Sequence, residues 1–152
     1  MGDKNRHIRF AEFIIGKFPP KQYKSVLVVA DGKGDLAIEL AKHYTTRVIE
    51  NNPRNKFFVG ASFKYEKGWF DFTTPVPEDF IVGMHPDEAT GQIVRNRDNK
   101  PYAIVPCCLK GIDAMGISNF TNWIKKLKSL SRREVFEDMI RIGGKNRVLY
   151  TR

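Results

Sequence analysis

A glycine-rich turn followed by an acidic residue is the strongest chemical signal in this 152-residue sequence. Gly32 and Gly34 come just after the apolar run Val26 to Ala30, and Glu50 follows Gly32 by 18 residues. Glycines let the backbone turn tightly and approach a ligand closely. An acidic side chain at the end of the next strand can accept hydrogen bonds from both hydroxyl groups of a ribose. The order of these residues predicts a nucleoside site; a solvated carboxylate at Glu50 is the alternative.

Two classes of cofactor fit this turn. The pattern Gly32-x-Gly34-x-x-Ala37 satisfies the dinucleotide fingerprint, and it satisfies equally well the looser nucleoside site for S-adenosylmethionine (SAM). Asp35 lies at the start of the helix that follows, where its carboxylate would repel a pyrophosphate. The charge therefore favours a cofactor without phosphates, and a small NAD-binding protein remains an alternative.

A second group of candidate residues follows the apolar run Phe80 to Met84. His85, Asp87 and Thr90 come directly after this predicted strand, at the edge where open α/β sheets bind ligands. His85 could orient a substrate or accept a proton, or it could only hold the loop through a backbone carbonyl. We take His85 and Asp87 as candidate catalytic residues and Met84 as part of the cofactor site.

Cys107 and Cys108 follow the next predicted strand on the same edge. Adjacent cysteines make a poor structural disulfide, which excludes a disulfide scaffold and favours a reducing, cytoplasmic location. A zinc site that combines them with His85 lacks a recognised ligand spacing, so we predict no bound metal. We expect both thiols to close the floor of the pocket. His7 and His43 have no predicted partners, and we take them as structural.

The elements that must position these residues alternate short apolar runs with amphipathic stretches, which is typical of βαβ units and a largely parallel sheet. We therefore predict a single α/β domain over residues 1–152, in which residues 1–24 form a basic N-terminal helix and linker. Strands are predicted at 26–30, 47–50, 80–84, 102–105 and 148–150, partly extended segments at 57–59 and 63–72, and helices at 7–18, 35–43, 118–130 and, by its capping-box spacing, 131–139.

Composition and charge narrow the class of protein. Apolar residues make up 41% and charged residues 28% of the chain, and no apolar run approaches the roughly 20 residues of a membrane span. Of the net charge of +9, residues 1–24 carry +4 and residues 110–152 carry +6. Basic flanks suit a polyanion such as RNA, although a solvated basic surface has the same composition. The residues that could contact phosphates are Lys125, Lys126, Lys128, Arg132 and Arg133.

Several segments resemble one family. The run Val26 to Leu40 looks like the first motif of Rossmann-like SAM-dependent methyltransferases. The segments 83–90 (GMHPDEAT), 104–108 (IVPCC) and 144–147 (GKNR) resemble a poorly characterised group of that family, and their His and Cys positions are similar to those of certain tRNA methyltransferases. The resemblance covers most of residues 26–150. It implies a Rossmann-like three-layer sandwich with an antiparallel C-terminal strand near Val148, SAM as cofactor, and methyl transfer with RNA as the first choice of acceptor.

The sequence departs from the family pattern in its first motif. Relatives tend to have an acid where Val28 stands and a glycine where Asp31 stands. Asp31 could supply the missing carboxylate from the turn itself. The altered motif also leaves open a non-catalytic nucleic-acid-binding or protein-binding module with a relic pocket. The predicted cofactor-binding residues are Asp31, Gly32, Gly34, Glu50 and Met84.

Overall fold

The computed structural model describes residues 5–51 and 63–152, and the predicted segment 57–59 lies outside these ranges. Within them the strands are β1 (Ser25–Val29), β2 (Thr45–Glu50), β3 (Phe63–Lys67), β4 (Phe80–Met84), β5 (Tyr102–Val105), β6 (Phe136–Met139) and β7 (Arg147–Tyr150). The helices are α1 (Arg6–Lys17), α2 (Asp35–Leu40), α3 (Thr90–Val94) and α4 (Phe120–Leu130). None of these helices is long and apolar enough to span a bilayer.

The strands form one sheet in the order β3-β2-β1-β4-β5-β7-β6. β1 to β5 pair in parallel, and β7 runs antiparallel to both β5 and β6. This confirms the predicted α/β class with its antiparallel C-terminal strand. The strand order reverses between β1 and β4, so their carboxyl ends open a crevice, the usual ligand site of such sheets.

The central strand β1 is buried on both faces, as its β-branched run predicts. Val26 and Val28 pack in the apolar layer that contains α1 and α2, whereas Leu27 and Val29 pack in the layer that contains α3 and α4. The helix α1 belongs to this core, because Phe10 and Ile14 are fully buried. Ile8, near the start of α1, is exposed.

The prediction of a helix at 131–139 is wrong, because this segment contains the strand β6. Residues 136–139 pair with β7, in a register that places Phe136 opposite Tyr150, and the chain reverses near Gly144, whose φ is 77°. The Ser131 hydroxyl does not cap a helix; it accepts hydrogen bonds from the N–H of Arg133 and the hydroxyl of Tyr102. Pairing with a distant strand has overridden the local helical spacing.

Candidate functional site

A polar cavity of about 370 Å³ lies at the carboxyl ends of β1, β2 and β4. It brings the predicted cofactor residues and the predicted catalytic residues to one place, lined by Asp31, Gly32, Glu50, Met84, His85 and Asp87. Gly34 is not part of this lining. It stands before α2 with a φ of 88°, where a residue with a Cβ would be strained, so it shapes the turn instead.

The glycine turn is held from two sides. The buried carboxylate of Glu50 accepts a hydrogen bond from the N–H of Gly32 at 3.1 Å. The hydroxyl of Tyr65, on β3, donates to the carbonyl oxygen of Gly32 at 2.6 Å. The order of Gly32 and Glu50 in the sequence predicted that they share one pocket, but it did not predict this hydrogen bond. Nothing in the sequence pointed to Tyr65, because only the pairing of β3 with β2 brings it to the turn.

Asp31 supplies the carboxylate that the first strand lacks. Its oxygens accept hydrogen bonds from the N–H groups of Leu36 and Ala37, at 3.2 and 2.8 Å, and so close the first turn of α2. Burial raises the pKa of Asp31 to about 7, although the two N–H donors act in the opposite direction. Asp31 therefore titrates near neutral pH while it orders the turn.

Strained backbone is concentrated around this cavity. Ala30, His85 and Asp87 have φ values of 60°, 52° and 51°, in the left-handed region that residues other than glycine seldom adopt. The cost is clearest for Ala30, where this conformation costs about 1–3 kcal/mol and persists only because the surrounding structure enforces it; aspartate and histidine adopt it more readily. All three follow β1 or β4, so the strain marks the same crevice that the topology marks.

Two histidines line the cavity from opposite elements, His7 from α1 and His85 from the end of β4. Burial lowers the pKa of both. The Nε2 atom of His85 lies 3.2 Å from the carbonyl oxygen of Lys145. A carbonyl oxygen only accepts, so Nε2 carries the proton and Nδ1 of the neutral ring is an acceptor. His7, taken as structural from the sequence, is thus a cavity residue that only the packing of α1 reveals.

The two cysteines stand beside Asp87 and do not line the cavity, so the prediction that they close its floor is wrong. The Sγ atom of Cys107 lies 3.7 Å from Oδ1 of Asp87 and 3.4 Å from Sγ of Cys108. Burial, together with Cys108 and Asp87, raises the pKa of the Cys107 thiol to about 12. With that pKa, the free thiol is neutral at pH 7 and is not a ready nucleophile.

A second cavity of about 340 Å³ adjoins the first and shares Ala30, Asn51, Pro86 and Glu88 with it. Its remaining walls are largely apolar and include Ile49, Trp69, Phe70 and Ile112. Trp69 and Ile112 are each about 70% exposed, so they form an open rim. The two cavities make one groove, with a polar half over β1 and β4 and an apolar half whose walls come from the segments that follow β1 to β5.

The predicted basic stretch reaches the opposite end of the sheet. The Arg132 guanidinium donates to the carbonyl oxygen of Asn96, and that of Arg133 donates to the carbonyl oxygen of Asn99. Both acceptors precede β5, so these arginines lie at the amino edge, away from the groove. Contact with an RNA through this stretch remains a prediction.

No protein-family model matches this sequence, and no curated protein matches it. Solved structures do match. A putative methyltransferase from an antibiotic biosynthesis pathway of Anabaena variabilis ATCC 29413 is 15% identical, with a TM-score of 0.62, over 87% of this chain and 64% of that one. A SAM dependent methyltransferase from Aquifex aeolicus is 14% identical, with a TM-score of 0.60, over 98% of this chain and 93% of that one. PigF, solved with S-adenosylhomocysteine (SAH), is 13% identical, with a TM-score of 0.64, over 97% of this chain and 55% of that one.

This chain spans less than two thirds of the first and third of these structures and nearly all of the second. At such identities the likeness concerns the fold. The strand order, the antiparallel β7 and the crevice between β1 and β4 agree with it. The chain therefore has the Rossmann-like fold of SAM-dependent methyltransferases, as its sequence motifs imply.

Proposed function

We propose that the chain binds SAM in the groove and transfers its methyl group to an acceptor. SAM has a charged amino acid and a ribose at one end and an apolar, planar adenine at the other. The polar half of the groove suits the first part and the apolar half suits the second. Carboxylates line the polar half, and they complement the positive charges of a sulfonium and an ammonium group: Asp31, Asp35, Glu50, Asp87 and Glu88.

The observation that carries this proposal over a dinucleotide is the contact between Asp31 and α2. A pyrophosphate binds to the free N–H groups at the start of the helix that follows the first strand. Here the Asp31 carboxylate already accepts from the N–H groups of Leu36 and Ala37. A diphosphate would have to displace a carboxylate from these donors, whereas SAM needs no such anion site.

The residues around the groove receive roles from their positions. Glu50, buried at the end of β2, accepts hydrogen bonds from the ribose, and the Gly32 turn that it holds covers the sugar. Trp69 and Phe70 cover the adenine in the apolar half. Met84 contributes an apolar wall where the two halves meet the end of β4.

Bound SAM supplies a methyl group that is already activated by the positive charge on its sulfur. The protein then has mainly to align an acceptor, so no elaborate catalytic triad is required. His85 and Asp87 lie at the cavity wall where an acceptor would approach. Nδ1 of neutral His85 takes the proton that the acceptor loses, and Asp87 stabilises the imidazolium that results.

RNA is the acceptor class that we favour. The chain carries a net charge of +9, and Arg6 and Lys33 add positive charge at the cavity itself. The Nζ atom of Lys110 lies 4.0 Å from the Asp87 carboxylate, whereas that of Lys145 lies over the ring of Phe120. This distribution suits a polyanion that enters from the carboxyl edge of the sheet.

Calorimetric titration with S-adenosylhomocysteine (SAH), the product form of the cofactor, and with NADH tests the proposal. We expect heat from SAH and none from NADH. The Glu50→Ala variant should weaken SAH binding by about 1–3 kcal/mol, the usual loss when a bond to a charged group is removed. Glu50→Gln removes the charge but keeps an oxygen that can accept from the N–H of Gly32, so it separates these two effects. Glu12→Ala, which removes an exposed acid on α1, is the matched control.

Three results would contradict the proposal. Heat from NADH alone would restore the dinucleotide interpretation. No heat from either ligand would indicate a relic pocket. Full SAH affinity in folded Glu50→Ala would remove the ribose assignment.

A further inference from the structure

We propose that Asp87, Cys107 and Cys108 form a binding site for one thiophilic divalent cation, with Zn²⁺ as the expected ion. One ligand atom from each side chain lies within 4.8 Å of the other two. Asp87 also lines the polar cavity, so the ion would bind at the rim of the groove. This site does not depend on the proposed methyl transfer, because it stands on the geometry of three side chains alone.

The distances match those of a tetrahedral zinc site. Zinc binds thiolate sulfur at about 2.3 Å and carboxylate oxygen at about 2.0–2.2 Å, so tetrahedral ligands lie about 3.8 Å apart for two sulfurs and about 3.5 Å apart for sulfur and oxygen. The sulfur atoms of Cys107 and Cys108 are 3.4 Å apart, and that of Cys107 is 3.7 Å from Oδ1 of Asp87. The sulfur of Cys108 lies within 4.8 Å of an Asp87 carboxylate oxygen, so this pair would have to close to about 3.5 Å when an ion binds.

The fold explains why three residues from two distant segments converge. β4 and β5 are parallel neighbours, with Met84 opposite Val105, so the loops that follow them leave the sheet side by side. The N–H of His85 donates to the carbonyl oxygen of Val105 and keeps the two loops together. The left-handed turn at Asp87 belongs to the first loop, and the cysteines begin the second. Asp87 and Cys107 are 20 residues apart, so their positions in the sequence do not indicate that they lie side by side.

The types of ligand atom determine which cation the site would bind. Two thiolates and one carboxylate favour zinc over the hard cations magnesium and calcium, which prefer oxygen ligands. Three protein ligands leave a fourth position for water or for a donor atom of an acceptor, as in catalytic zinc sites. Lys110, whose Nζ atom lies 4.0 Å from the Asp87 carboxylate, is half exposed and free to swing away when a cation binds.

Titration of the reduced 152-residue chain with Co²⁺ tests this site directly, because Co²⁺ replaces Zn²⁺ and absorbs visible light. We expect one equivalent to produce a thiolate-to-cobalt charge-transfer band and the visible bands of tetrahedral cobalt, and Zn²⁺ to abolish both. Cys107→Ser and Cys108→Ser should each weaken binding by at least about tenfold, since even an outer partner of a metal ligand has that effect.

Asp87→Asn removes the charge and keeps a residue that tolerates a positive φ, so it should fold while it loses affinity. Glu88→Gln, an exposed neighbour on the same loop, is the matched control and should bind as tightly as the unmodified protein. Circular dichroism identifies any variant that fails to fold, and only the Co²⁺ affinities of the folded variants are compared. The proposal is overturned if no charge-transfer band forms, if both folded cysteine variants keep full Co²⁺ affinity, or if Glu88→Gln lowers Co²⁺ affinity as much as Asp87→Asn does. SAH binding is measured separately, so this failure and that of the proposed function remain distinct.

Discussion

The two ends of the sheet use their polar groups differently. At the carboxyl ends of β1 and β4, residues with positive φ and the carboxylate of Asp31 surround an open cavity. At the amino ends of the same sheet, polar groups form hydrogen bonds with one another and with the backbone. Ala30, His85 and Asp87 have positive φ values at the first end. Asn99 has a positive φ at the second, but asparagine adopts this conformation readily. Aspartate and histidine share this tolerance, so Ala30 is the strained residue that distinguishes the first end from the second.

Polar side chains at the amino end hold the backbone in place. The Asp79 carboxylate accepts from the N–H groups of Lys24 and Ser25 and fixes the entry to β1. Arg133 donates to the carbonyl oxygens of Asn99 and Arg152 and ties the segment before β6 to the rest of the sheet. Such groups stabilise the fold through hydrogen bonds to one another and to the backbone.

The difference shows that charge density along a sequence is a weaker guide to a site than placement in the fold. The densest basic stretch contributes Arg132 and Arg133 to structural contacts at the amino end. The carboxyl end has scattered charges of both signs that no window of sequence displays. Substitutions at the two ends should accordingly affect different measurements.

The largest effect is expected at the carboxyl end, from Asp31→Asn. The pKa of Asp31 is about 7 in the folded chain and 3.8 ordinarily, so between these values the folded state holds a proton that the unfolded state releases. Stability therefore falls as pH rises through this window. Between about pH 5 and about pH 8 the unmodified protein should lose about 3 kcal/mol of unfolding free energy that the variant does not lose.

Urea unfolding of both proteins across this range measures the difference. The lowered pKa values of His7 and His85 act in the opposite direction, because the unfolded state then binds more protons, but they are common to both proteins and cancel in the comparison. Parallel pH profiles would show that Asp31 stays ionised on α2 throughout.

A smaller effect is expected at the amino end, from Arg133→Ala. The variant loses hydrogen bonds of 2.7 and 2.6 Å to two carbonyl oxygens, which should lower the free energy of unfolding by about 1–3 kcal/mol. Arg133→Lys keeps the charge but not the planar fork, so it should also destabilise the chain. SAH affinity should not change in either variant, and a lysine variant as stable as the unmodified protein would indicate a role for charge alone.

The sequence predicted those parts that are encoded locally. β1, β4 and β5 are continuous buried runs, and the order of the glycine turn and Glu50 was enough to bring them together. The strand β6 was missed because only its pairing with β7 makes it a strand. His7 and the contact of Asp87 with Cys107 were missed for the same reason: each depends on two elements that the chain brings together from far apart.

The smallest effect is expected for the double variant Lys125→Ala, Lys126→Ala. Both lysines lie on α4, away from its buried residues Trp123, Ile124 and Leu127. Because surface substitutions of this kind change stability by less than about 0.5 kcal/mol, urea unfolding should be unchanged. SAH affinity should also be unchanged, since neither lysine lines the groove.

RNA binding is the one property that this double variant should alter. Each phosphate that a lysine neutralises contributes roughly −0.7 to the slope of log affinity against log salt for a single strand, so losing both contacts should flatten the slope by up to about 1.4. Arg133→Lys, which keeps the charge, is the control and should retain the slope. If RNA does not bind at low salt, or if the double variant keeps the full slope, the exposed face of α4 is only a solvated surface, and any polyanion must enter past Arg6 and Lys33 at the other end of the sheet.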